Sequence, residues 1–256
     1  MHLHLLWALG QMKATLPSVQ EKKTVPPGRR VSKNIVSEAD ADAPTLSEQT
    51  YQALVHMIMA KELAAGQVLE ERPLSKRLNV SRTPLRMALS RLLGEGIVVR
   101  LSNGFYAVNA PNLEDYLHLI QLRRLLEGEA AGRAAENIGA ETTAAMRSRV
   151  TDAAARAGSI TPEEQWKLDD FLHESIADAS GNPWLAHMIR DVRRRVRMCN
   201  VRLQPGRFPK TCDAHLEIIE ALEQRDAERA RKAMDAHLNA VWEGFVTMLG
   251  VPRANL

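Results

Sequence analysis

The chain has 256 residues, 25 % charged and 45 % hydrophobic, with a formal net charge of +3. That length supports one large domain or two modest ones with a real core. Two cysteines, Cys199 and Cys212, exclude a disulfide framework and fit a reducing cytosol. No apolar run approaches the roughly 18 residues that span a bilayer, so a cytoplasmic protein with no membrane partner is expected. Met1–Leu9 is apolar but short, without a basic n-region or a cleavage site, and does not read as a signal peptide. An isoelectric point near 9.0 is compatible with a polyanionic partner without establishing one.

Residues 1–44 show no periodicity, carry Pro17, Pro26, Pro27 and Pro44, and hold basic pairs such as Lys22-Lys23. They read as a disordered basic arm, either idle or adding phosphate contacts. From Leu46 the pattern is helical: Tyr51, Leu54, Val55, Ile58 and Met59 share one face, and Ala65-Gly66 is expected to end the helix. A short helix starts at Arg72-Pro73 and runs to Asn79. After one residue, Ser81–Leu93 forms a second helix with Leu85, Ala88, Leu89 and Leu92 inward, and Arg82, Thr83, Arg86 and Ser90 outward. Ser81 is an N-cap type, and Pro84 is tolerated where first-turn amides are free. Ile97–Val108 alternates as a hairpin with Asn103-Gly104 at its tip.

That order is a winged helix-turn-helix. Its second helix carries Arg82, Arg86 and Arg91 with no acidic residue before Glu95, which suits entry into a DNA major groove. Ser81 and the free amides suit a phosphate, and an arginine can fork onto a guanine edge. Arg72 can reach the same groove or its backbone, and the small wing tip at Gly104 can approach the minor groove. Isolated arginines would more simply be a solvated face. The capped start and the wing weigh against that.

Beyond Pro111 the period is helical to the end, with helices expected at about 112–137, 141–157, 161–179, 183–203, 210–224 and 226–249. The breaks are Gly139, Gly158 with Thr161-Pro162, Gly181-Asn182-Pro183, Pro205-Gly206 with Pro209, and Asp226 as an N-cap. The fold class is therefore mainly α: an N-terminal winged helix-turn-helix over 45–110 and an all-α antiparallel six-helix bundle over 111–250.

Within the bundle, Asp169 and His173 lie i, i+4 on one helix and point the same way. His215 and His237 sit on two further helices, each beside apolar neighbours. Three inward faces can bring three imidazoles and one carboxylate together, a set that suits Zn²⁺ first, or Ni²⁺ or Mn²⁺, with positions left for an exogenous oxygen. Taken singly, each histidine is more simply a satisfied core residue. Cys212 stands three residues before His215 and makes a possible zinc pair with it. The arginine run Arg190, Arg193, Arg194, Arg195 and Arg197 reads as solvated surface, with some of it available to a subunit interface or a head–bundle contact.

The head resembles the GntR-type winged-helix regulators through Leu69-x-x-x-x-Leu74, Leu78-Asn79-Val80-Ser81-Arg82-Thr83-Pro84-Leu85-Arg86, Ala88-Leu89-x-x-Leu92 and Glu95-Gly96. The resemblance implies DNA contacts at Arg72, Arg82, Thr83, Arg86 and Gly104. Met87 and Pro73 depart from it, each standing where an acidic residue is common. The bundle is similar to the FCD ligand-binding domain of the FadR subfamily, through Asp169-x-x-x-His173, Ala179-Ser180-Gly181-Asn182-Pro183, His215 and Ala233-Met234-x-x-His237-Leu238. Six helices point to its VanR-like branch.

That resemblance implies a divalent metal on Asp169, His173, His215 and His237, completed by a small carboxylate effector. It gives Cys212 no ligand role, which leaves it a structural thiol. Arg123 resembles the arginine that grips the effector, and an i, i+4 salt bridge with Glu127 is the plainer alternative. The expected function is a metal-containing, organic-acid-responsive regulator, a repressor in sign, binding a palindromic double-stranded operator as a homodimer. A metalloenzyme on the bundle and a metal-ion sensor are the rivals. No general base or oxyanion device beside the cluster favours the enzyme.

Overall fold

The computed structural model describes residues 44–199 and 206–248, and the arm expected over 1–44 lies outside them apart from Pro44. Helix α1 (Leu46–Met59) starts at Thr45, whose hydroxyl accepts from the Glu48 amide, and buries Tyr51, Leu54 and Ile58 as the pattern requires. It stops well before Ala65-Gly66. Lys61 turns left-handed at φ 61, and the amides of Glu62 and Leu63 bond back to the Met57 carbonyl, which folds Leu63 into the core.

Strand β1 (Val68–Leu69), α2 (Glu71–Leu78), α3 (Arg82–Gly94), β2 (Val98–Arg100) and β3 (Tyr106–Val108) complete the head. Asn79, left-handed at φ 51, closes α2 and makes the tight turn into α3. Ser81 occupies the N-cap position of α3, but its hydroxyl makes no cap bond, contrary to expectation. Strands β2 and β3 pair antiparallel with Val98 opposite Val108, and the hairpin reverses at Gly104, where φ is 85. Strand β1 was not anticipated. It pairs with β3 and gives the order β1-β3-β2, but two residues are too few to carry a period-2 signal.

The bundle consists of α4 (Leu113–Asn137), α5 (Ala140–Ala155), α6 (Pro162–Ala179), α7 (Pro183–Met198), α8 (Phe208–Glu223) and α9 (Ala227–Met248). Four of these six starts, those of α4, α6, α7 and α9, are set by side chains. Asn112 with Asp115 and Thr161 with Glu164 form reciprocal capping boxes, Asn182 caps α7, and Asp226 accepts from the Arg229 amide at 2.9 Å. The expected helix over 183–203 is present as Pro183–Met198 with Cys199 at its C-cap, and positions 200–203 lie outside the described residues.

Helix α4 lies against α6, α7, α8 and α9. Ala130, Ala131, Ala134 and Ala135 are fully buried along it, small enough for neighbouring backbones to come close. Leu54, Leu85, Leu89, Leu92 and Ile97 centre the head core, and Met146, Leu172, Ile176 and Ile218 the bundle core. Met198, at the end of α7, packs into the head core and ties the two together.

Candidate functional site

Helix α6 carries Asp169 and His173, α8 carries His215 and α9 carries His237. One donor atom from each lies within 4.8 Å of the others. The imidazole centroids are 5.6 Å apart for His173 and His215, 5.3 Å for His173 and His237, and 4.7 Å for His215 and His237. All three rings are buried, and Asp169 Oδ1 sits 3.5 Å from Nε2 of both His173 and His215. Apart from Asp169 at 3.5 Å, neither ring nitrogen of His215 nor Nε2 of His173 has a hydrogen-bond partner among the described residues. Buried polar atoms are ordinarily satisfied, and imidazole nitrogens left in this state beside a carboxylate are of the chemical types that divalent cations take as donors.

Nδ1 of His173 rests against the Glu127 carboxylate. A proton held there leaves Nε2 as the donor toward the cluster, the way outer partners orient metal-ligating histidines. Glu127 also accepts from Arg123 Nε at 2.5 Å and lies 3.9 Å from Arg193 Nη1. Burial would raise its carboxyl, but Arg123, His173 and Arg193 hold it well below the usual carboxylate range. Asp169 behaves likewise: burial is outweighed by Arg193, whose Nη2 donates at 2.8 Å, and by His173. Burial lowers His215, and burial together with His215 and His173 pushes His237 well down, so both imidazoles are held neutral.

The plainer alternative for Arg123 is thus observed, and it does not exhaust the residue. Two of its five N–H donors go to Glu127, and the side chain also lines a cavity of about 110 Å³. Asp169, His215 and His237 form the floor of that cavity, while Tyr116, Trp166, Phe208 and Phe245 form its walls. His173 stands behind the floor. Cys212 is buried outside the four-donor cluster, its thiol pushed up to about 11 by burial.

The arginine run departs from the expected solvated surface, while the head–bundle contact expected of some of it is made by Arg194 and Arg195. Arg193 is only 4 % exposed. At 100° per residue, Arg190, Arg193 and Arg197 share the face of α7 turned to α6, where they meet Asp178, Asp169 with Asp170, and Asp170 with Glu163. Arg194 and Arg195 point to the head. Arg194 Nη1 lies 3.1 Å from the Tyr51 hydroxyl and 3.3 Å from Glu95 Oε2, and Arg195 donates to the Glu95 carbonyl at 2.7 Å. Apart from Asp191, which pairs with Arg194 and Arg195 within α7, the acidic partners stand on other elements, which is why the run alone did not disclose them.

In the head, Arg72, Ser81, Arg82, Thr83, Arg86 and Gly104 are all exposed. Arg86 Nε is held by Glu71 at 2.9 Å. Arg91 does not belong with them: it bonds Glu48 and Glu95 and stacks on Tyr51, 3.7 Å from the ring centroid. Met87 is 58 % exposed, with its sulfur accepting from the Ser47 hydroxyl, so it buttresses α1. Phe105, half exposed, stands beside the small wing tip and was overlooked in the sequence.

Residues 46–106 match the family model described as bacterial regulatory proteins, gntR family, and residues 118–240 match the FCD domain. The Nta operon transcriptional regulator of Aminobacter aminovorans is 30 % identical over 197 residues, covering 75 % of this chain and 91 % of that protein. The chain belongs to the GntR family. This GntR protein is also 26 % identical to the transcriptional repressor RspR of Escherichia coli K12, over 77 % of its own length and 88 % of RspR. Its fold matches E. coli McbR/YncC with a TM-score of 0.70 at 19 % identity, covering 80 % of this chain and 99 % of that one. It is a DNA-binding transcriptional regulator rather than an enzyme. Among the described residues no helix is long and apolar enough to cross a membrane.

Proposed function

We propose that this protein is a cytoplasmic repressor that binds a palindromic operator as a homodimer and releases it when a small carboxylate enters the bundle. Arg72, Ser81, Arg82, Thr83, Arg86 and the Gly104 wing tip form the DNA-reading face. Two heads related by two-fold symmetry double the base contacts at a spacing of about one helical turn. The repressor sign rests on likeness to RspR.

The observation that carries the ligand half is the convergence of four donors, with orphaned imidazole nitrogens, on the floor of a cavity that Arg123 also lines. Asp169, His173, His215 and His237 would hold a divalent ion, Zn²⁺ foremost. When bound, the ion supplies open coordination positions for a carboxylate oxygen. Arg123 grips the second oxygen, and Glu127 keeps both Arg123 and His173 oriented.

Helix α7 links this site to the reading head. Its Arg193 bonds the ligand-set residue Asp169, and the adjacent Arg194 and Arg195 bond Tyr51 and Glu95 of the head. A ligand shifts a regulator only through unequal affinity for two states, and α7 is the element whose position both sites share.

Operator binding is measured by fluorescence anisotropy on metal-stripped and Zn²⁺-loaded protein, with and without a panel of carboxylic acids. Release by an acid only when metal is present supports the reading. Switching by metal alone, with no response to any acid, replaces it with a metal sensor.

A further inference from the structure

The three arginines of the reading face are not equally placed. Among the described residues no carboxylate holds Arg72 or Arg82, whereas Arg86 of α3 meets Glu71 of α2 across the helix-turn-helix.

The form of that contact is specific. Both Glu71 oxygens accept from one nitrogen, Arg86 Nε, at 3.0 and 2.9 Å. Other arginines of the chain meet a carboxylate with a two-nitrogen fork: Arg124 donates to Asp235 from Nε and Nη2, and Arg147 to Glu223 from the same two atoms. Glu71 instead leaves the terminal nitrogens of Arg86, Nη1 and Nη2, without a partner among the described residues. Two guanidinium nitrogens in a free fork are what reads O6 and N7 of a guanine.

Folding stability does not explain the pair. The Arg86 side chain is 63 % exposed and that of Glu71 28 %, and an ion pair so open to water contributes little. Against DNA a carboxylate joined to a reading arginine weakens the attraction to phosphates. Its place in the first turn of α2, where the helix dipole favours an acid, offsets part of its charge. What the contact supplies is orientation. A long side chain held at Nε loses less rotamer freedom when it docks.

We infer that Glu71 is a positioning residue for base recognition: by holding Nε it fixes the plane of Arg86 and aims Nη1 and Nη2 at a guanine edge. The inference rests on the placing of Arg86 in the DNA-reading face above and narrows it. Arg86 reaches the groove already oriented, while Arg72 and Arg82 take their orientation from the DNA.

The test uses the duplex that the wild-type, full-length protein selects from a random-sequence library. Affinities for it and for unselected duplex are measured by anisotropy at one salt concentration, for wild type, Glu71→Ala, Glu71→Gln, Arg86→Ala and the double variant of Glu71→Ala with Arg86→Ala. Glu71→Ala is expected to lower the ratio of the two affinities about tenfold while binding unselected duplex at least as tightly as wild type. Glu71→Gln, whose amide oxygen still accepts from Nε, is expected to keep most of the ratio. In the Arg86→Ala background, removing Glu71 is expected to change the ratio less than about twofold. An unchanged ratio in Glu71→Ala, or an equal loss with and without Arg86, overturns the positioning role, and a ratio lowered by Arg86→Ala alone then keeps Arg86 in the reading face. A ratio unchanged in Arg86→Ala overturns both.

Discussion

Arg195 donates to the carbonyl of Glu95 at 2.7 Å, joining α7 of the bundle to the residue that caps α3, the helix that presents Arg82 and Arg86. Asp191 steadies the joint by holding Arg195 Nε at 2.9 Å. Beside it, Gly96 adopts φ 69, and a Cβ there would lie 3.0 Å from an Arg195 nitrogen.

Arg195→Ala and Gly96→Ala therefore address the same joint from opposite sides. Gly96→Ala adds a left-handed penalty of about 1–2 kcal/mol and crowds Arg195 off its carbonyl. Both variants are expected to keep operator binding while losing most of the ligand-induced release, read by anisotropy with and without effector. Unchanged release in both would mean that the joint is structural only.

At the reading face, Arg82→Ala is expected to cost about 1–3 kcal/mol of operator affinity with relaxed base preference, as for a bidentate base contact. Arg91→Ala should leave the base preference intact, because Arg91 is committed to Glu48, Glu95 and the Tyr51 ring. A competition assay against operators with single base changes distinguishes the two.

Glu127→Gln keeps the size of the side chain and removes its charge from His173 and Arg123. Loss of an outer-shell partner of this kind typically lowers metal affinity by about 10–100-fold. Chelator competition on the purified protein measures it, with His215→Ala as the variant expected to abolish uptake.

Stability of the metal-free protein is expected to fall in two stages on acidification. His215 and His237 are held neutral by burial, so below their ordinary value of about 6.5 the unfolded chain takes up protons that the native state refuses. Stability is therefore lost first between about pH 7 and about pH 5. Asp169 and Glu127 are depressed, so their contribution is present above their unfolded values near pH 4 and is lost below them. Urea unfolding across this range separates the stages, and His237→Gln is expected to flatten the first.

Much of this was legible in the chain because it is local. The period of Tyr51, Leu54 and Ile58, the breaks at Thr161-Pro162 and Gly181-Asn182-Pro183 and the N-cap at Asp226 act within a turn of helix, so the element order and the six bundle helices follow from them. The Asp169–His173 pair was legible for the same reason. The end of α1 was not, because the turn at Lys61 depends on where Leu63 finds its core. Strand β1 exists only because β3 is there to pair with it.

The site divides the same way. Sequence by itself determined the donor types, the winged helix-turn-helix order and the family. The tertiary structure alone decided that His215 and His237 reach Asp169, that Glu127 serves His173 as well as Arg123, and that Arg193, Arg194 and Arg195, consecutive in the chain, face two different places. Helical geometry turns successive residues by 100°, but what each then meets is set by segments as many as 143 positions away, as with Arg194 and Tyr51. Burial settled the rest, because an arginine as enclosed as Arg193 must meet carboxylates, and those stand on another helix.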